Sequence, residues 1–92
     1  MISADARPRI ASKARLRYDR KADRTMLLYP EKGLVLNPTA AEIAKLCTGE
    51  HSVASIVAQL ASRYGKDSAA IESEVMKFLS ALAERGLLEE VN

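Results

Sequence analysis

Residues 29–38, YPEKGLVLNP, decide the fold. Pro30 ends an apolar run, and the EKG that follows supplies a short turn in which Gly33 can take positive φ. Leu34, Val35, Leu36 and Asn37 then read as a strand that Pro38 stops. Such a strand is a liability at a sheet edge, because its unpaired backbone groups accept another chain. Either it is ordinary core or it is a socket for a partner.

Upstream, TMLLYP (25–30) has the content of a second strand, so it should form a hairpin with GLVLN (33–37). KARLRYD (13–19) alternates, with Lys13, Arg15 and Arg17 on one side and Ala14, Leu16 and Tyr18 on the other. Period two predicts a half-buried first strand with a basic outer face. Residues 1–12 lack periodicity and are expected to be a flexible tail, leaving 13–92 as a single domain.

Downstream the pattern changes to helix. Asn37 precedes a proline suited to a first helical turn, and Thr39 to Glu42 has capping-box spacing, so the first helix has two candidate starts. Ile43, Leu46 and Cys47 share a face, and Gly49 is placed to end it. A second helix is capped by Ser52, carries Val53, Ile56, Val57, Leu60 and Tyr64 on one stripe, and stops at Gly65. A third starts near Asp67 or Ser68, carries Ile71, Val75, Phe78, Leu79 and Leu82, and stops near Gly86. Leu87 and Leu88 should fold back onto the core. Three N-terminal antiparallel strands followed by three helices make an α+β domain of winged helix-turn-helix-like type.

The 92 residues allow one modest core, built from Leu, Ile, Val and Ala because there is one Phe and no Trp. A single cysteine fits a reducing, cytoplasmic setting, and no run approaches the ~18 apolar residues of a membrane span. The net charge of +2 is unevenly divided: eight Lys or Arg against three Asp lie in residues 1–24. That asymmetry suits either a nucleic-acid arm or a solvated strand and tail.

Catalytic patterns are missing. Cys47 and His51 are four apart, but Gly49 intervenes, and neither a metal ligand set nor a nucleophile pair is completed around them. They read as a buried thiol and an exposed loop imidazole. No phosphate loop or nucleophile elbow occurs, so the chain is expected to be no enzyme and to carry no cofactor or metal.

Three binding readings remain. A winged helix would place its third helix in a DNA groove, yet Glu72 and Glu74 precede Lys77 there and oppose phosphate. Strand addition would place an extended peptide on residues 33–37 against the third helix. A five-residue edge offers about four outward hydrogen bonds of ~1 kcal/mol net, hence about 4 kcal/mol and only millimolar affinity. Such a binder needs apolar anchors as well. The third reading is a homodimer through the same edge.

RLRYD, LLYPEKGLVLNPTAAEIAKLCTGEHSVASIVAQLASRYG and VMKFLSALAERGLL together resemble the PqqD family of pyrroloquinoline quinone (PQQ) biosynthesis, over residues 9–91. The resemblance implies a non-enzymatic peptide chaperone, a recognition element for ribosomally made, post-translationally modified peptides (RiPPs). It implies as partners a PqqA-like precursor peptide and a PqqE-like radical S-adenosylmethionine enzyme that cross-links a Glu and a Tyr of that peptide. Neither nucleic acid nor membrane is implied. Its peptide site falls on Gly33, Leu34, Val35, Leu36 and Asn37, facing Glu74, Val75, Phe78, Leu79 and Leu82. Lys13, Arg15 and Arg17 become candidates for docking the enzyme. A leader-recognition domain of another modified-peptide pathway is the alternative. Thr48 stands where the family commonly has Asp.

Overall fold

A computed structural model describes residues 2–30 and 32–91. Its elements are β1 (Arg7–Ile10), β2 (Arg15–Asp19), β3 (Arg24–Tyr29), β4 (Lys32–Leu36), α1 (Pro38–Leu46), α2 (Val53–Tyr64), α3 (Ser68–Glu84) and β5 (Leu88–Val91). The antiparallel sheet β2-β3-β4 followed by three helices is the α+β, winged-helix-like arrangement that the periodicities predict.

Alternation assigns the two faces of that sheet. Leu16, Leu27 and Leu34 lie opposite one another across the three strands and face the helices, with Leu27 fully buried. The intervening rows, Arg17–Met26–Val35 and Arg15–Leu28–Gly33, face away from the core. Tyr18 is expected to point inward, but it stands at the end of an outer strand, 55% exposed, its hydroxyl donating to Asp23.

The helix starts follow their caps. Asn37 Oδ1 accepts from Ala40 N at 2.7 Å, which selects Pro38 as the first helical residue over the Thr39 alternative. Ser52 Oγ accepts from Ser55 N at 3.0 Å, and Gly65 ends α2 in the left-handed region at φ 61°. α1 stops at Leu46, short of Gly49, and Tyr64 at the end of α2 is half-exposed rather than on the buried stripe. Ile43, Ile56, Leu60, Val75, Leu79, Leu82 and Leu87 fill the core.

The N-terminal segment departs from the expected tail. Arg7–Ile10 pair antiparallel with Leu88–Val91, and on the other side Ile10 N donates to Cys47 O at 3.1 Å and Gly49 N to Pro8 O at 2.9 Å. Arg9 and Glu89 add an exposed ion pair at 2.7 Å. Val53 N donates to Ala6 O at 2.9 Å and Ala54 N to Ala4 O at 3.0 Å, satisfying the first two amides of α2. The segment is thus a strap that ties together the α1–α2 loop, the start of α2 and the C-terminal strand.

Candidate functional site

β4 is the terminal strand of its sheet, so among the described residues its outer backbone edge meets no strand. α1 packs on both β4 and α3, whereas β4 and α3 make little direct contact. α1 is therefore the floor of a gap with β4 on one side and α3 on the other.

A cavity of about 210 Å³ opens between α1 and α3, just beyond the end of β4. Asn37, Ala40 and Ile43 line it from one side, and Glu74, Lys77 and Phe78 from the other. Ile43 is 1% and Phe78 9% exposed, so an apolar wall is held in place by the core behind it. Glu74 and Lys77 are exposed at the rim, and among the described residues neither forms an ion pair. The volume exceeds the ~150 Å³ that holds a benzene ring, so the cavity can accept one Leu-, Ile- or Phe-sized side chain. A polar edge beside a recess with an apolar floor and a polar rim is suited to an extended peptide: backbone groups meet β4 and alternate side chains meet the gap.

The residues assigned by resemblance divide in three. Gly33, Leu34, Val35 and Leu36 all lie on β4, where Gly33 pairs with Leu28 and does not take the positive φ expected of a turn residue; Asn37 is the cap of α1, and Glu74 and Phe78 reach the cavity. Val75, Leu79 and Leu82 are 0% exposed; they lie under the helix in the core, out of reach of anything seated in the gap. Sequence reasoning misses Ala40 and Lys77 as lining residues and treats Ile43 only as core. Their signal is Ala40 and Ile43 at i, i+3, one turn into α1.

Arg15 and Arg17 share the outer sheet face as expected. Lys13 precedes β2, and its ammonium lies beside the Gly86 turn instead. Cys47 is buried, which pushes its thiol up to about 12, while His51 is half-buried with Nδ1 3.4 Å from Gln59 Nε2. Among the described residues no group of three His, Cys, Asp or Glu side chains is placed to hold a metal. Among the described residues no helix is long and apolar enough to cross a membrane. Thr48 Oγ1 accepts from Glu50 N at 3.3 Å, a turn contact that an aspartate there would also make.

The arrangement is that of a recognition domain in which the edge strand β4 adjoins a cleft between two helices. Residues 24–88 match the model of the family described as coenzyme PQQ synthesis protein D (PqqD), and the chain belongs to this family. It is 39% identical over 89 residues to a PqqA binding protein of Rhodopseudomonas palustris (strain BisB5), covering 97% of this chain and 87% of that protein. The solution structure of the PqqD part of Methylobacterium extorquens PqqCD, described as a functional and stand-alone RiPP recognition element, superposes with a TM-score of 0.83. It shares 33% identity, with 97% of this chain and 95% of that chain covered. PqqD from Xanthomonas campestris aligns with a TM-score of 0.62 at 32% identity, covering 97% and 99%.

Proposed function

We propose that the chain is a non-enzymatic adaptor of PQQ biosynthesis that acts in the cytoplasm. It binds a PqqA-like precursor peptide as an added strand on β4 and presents it to a radical S-adenosylmethionine enzyme. The observation that carries this reading is the open β4 edge beside a recess lined by Ala40, Ile43 and Phe78. The PqqA-binding relatives and the M. extorquens recognition element support it. The magnitudes agree with it as well. The edge alone supplies about 4 kcal/mol, and one or two apolar anchors at about 1.5–3 kcal/mol each bring affinity into the micromolar range.

Titration of isotopically labelled protein with the precursor peptide tests the site. Amide shifts should concentrate at residues 32–37 and 74–78, and a map centred elsewhere removes this assignment. A homodimer through β4 would compete for the same edge, and sedimentation with and without peptide separates the two occupants. A peptide lacking a nearby Glu and Tyr that binds equally well would move the chain to another modified-peptide pathway.

A further inference from the structure

Among the described residues, no helix packs on one face of the β2-β3-β4 sheet. Its two rows both run from a cation on β2 through a thioether or aliphatic side chain on β3 to the β4 edge: Arg17–Met26–Val35 and Arg15–Leu28–Gly33. Val35 is 49% exposed, among the most exposed large hydrophobic side chains described. A Cβ at Gly33 would lie 3.1 Å from Met26 Cε and 3.3 Å from Leu28 Cδ2, so these side chains lean across Gly33 toward the β4 edge. The turn after β2 adds Arg20 and Lys21, which with Arg17, Tyr18, Met26 and Leu28 line a recess of about 620 Å³ where Asp19 is the single carboxylate among the described residues. Among the described residues none of these four cations is in an ion pair.

We propose that this face, extended by the bound peptide, is the surface that docks the peptide-modifying enzyme through an acidic rim and an apolar knob on that enzyme. The inference rests on strand addition at β4. A strand added there continues both rows, because cross-strand neighbours point to the same face and alternate residues share it. Every second residue of the peptide therefore joins Met26, Leu28 and Val35, and the enzyme meets adaptor and peptide as one surface. An apolar centre with a charged rim, rich in Met and Arg, is the composition of a protein interface. A second copy of the chain is disfavoured because its own arginines would face these. Nucleic acid would leave the apolar strip unsatisfied, since phosphate contacts dominate that affinity.

The double variant Arg15→Glu/Arg17→Glu changes only exposed side chains. Its affinity for the radical S-adenosylmethionine enzyme should fall at least tenfold and lose most of its salt dependence, while affinity for the precursor peptide stays within twofold. Arg20→Glu/Lys21→Glu, in a turn outside the strand ladder, should weaken the enzyme at least threefold. Saturating peptide should tighten wild-type binding of the enzyme at least threefold. Unchanged enzyme affinity in both variants overturns the docking face, and equal affinity with and without peptide overturns the shared surface. Binding of a DNA duplex by the wild type that the first variant abolishes, with enzyme binding intact, gives the face to nucleic acid and overturns the proposal. Failure of the wild type to bind peptide at all sinks the strand-addition reading instead, a result separable from loss of the enzyme in the variants.

Discussion

The amide of Gly49 donates to the carbonyl of Pro8 at 2.9 Å, and both residues are buried. Gly49 sits at φ +87°, and a Cβ there would lie 2.9 Å from Val91 Cγ2. The glycine is thus needed twice, for its conformation and for the close passage of β5. Gly49→Ala should lower stability by about 2–4 kcal/mol through left-handed strain and overpacking. Urea denaturation of the two proteins checks it, and a loss under 1 kcal/mol would mean that β1 and β5 shift easily.

Deletion of residues 2–6 removes the carbonyls that hold the Val53 and Ala54 amides. Val53 is buried beneath this segment, and once the segment is gone water reaches both amides, so the expected loss is about 1–2 kcal/mol. That corresponds to a fall in Tm of roughly 5–15 °C for a domain of this size. Peptide affinity should be unchanged, because Ile2 and Ala4 border a recess lined by Val57 and Met76, distinct from the Phe78 cavity. Calorimetry gives the first quantity and titration of the deleted protein the second.

What the sequence discloses is what local chemistry encodes. The β3–β4 hairpin, Asn37 and Ser52 as caps, and the α2 and α3 stripes each announce themselves within a few residues. β1 and β5 do not, since Arg9 and Glu89 pair across a separation of 80 residues and no turn joins their strands. Pro8 inside β1 also argues against a strand by composition alone; it is tolerated because its carbonyl, and with it the ring nitrogen that lacks a hydrogen, faces the α1–α2 loop, so no bond to β5 is lost. The cleft shows the same limit. A 3.6-residue stripe on α3 says that Val75, Phe78, Leu79 and Leu82 share a face, but not that Phe78 alone sits at the margin nearest α1. Ala40 and Lys77 enter the site only because two helices meet there.

The Cys47 thiol, raised from its ordinary 9.0 to about 12 by burial, gives a pH signature. Burial disfavours the thiolate, so the folded state holds this proton more tightly than the unfolded chain does. The resulting stability is fully present below pH 9 and is lost as pH rises toward 12, by at most about 1.4 kcal/mol per pH unit. Between pH 8 and 10 the wild type should lose about 1 kcal/mol more than Cys47→Ala, which has no such proton. Urea melts of both proteins at the two pH values isolate the difference from other titrating groups. Equal losses would show that the thiol is accessible to water in the folded state.

Ala40→Phe tests the recess without hollowing the core. Ala40 is half-buried on the first turn of α1, and a phenyl ring there projects into the 210 Å³ space shared with Ile43 and Phe78. Removing Phe78 itself would cost about 3–5 kcal/mol of stability and confuse the reading. The added ring lowers helix propensity by only about 0.5 kcal/mol. If an apolar peptide side chain occupies this space, filling it should weaken the precursor peptide at least tenfold, which is about 1.4 kcal/mol, with Tm changed by only a few degrees. Glu74→Gln and Lys77→Gln, at the exposed rim, should each change affinity less than threefold, because solvent-exposed ion pairs contribute about 0–1 kcal/mol. Wild-type affinity in Ala40→Phe would place the anchor elsewhere along β4. A large loss in Glu74→Gln alone would make charge, rather than apolar fit, the determinant of which peptide is held.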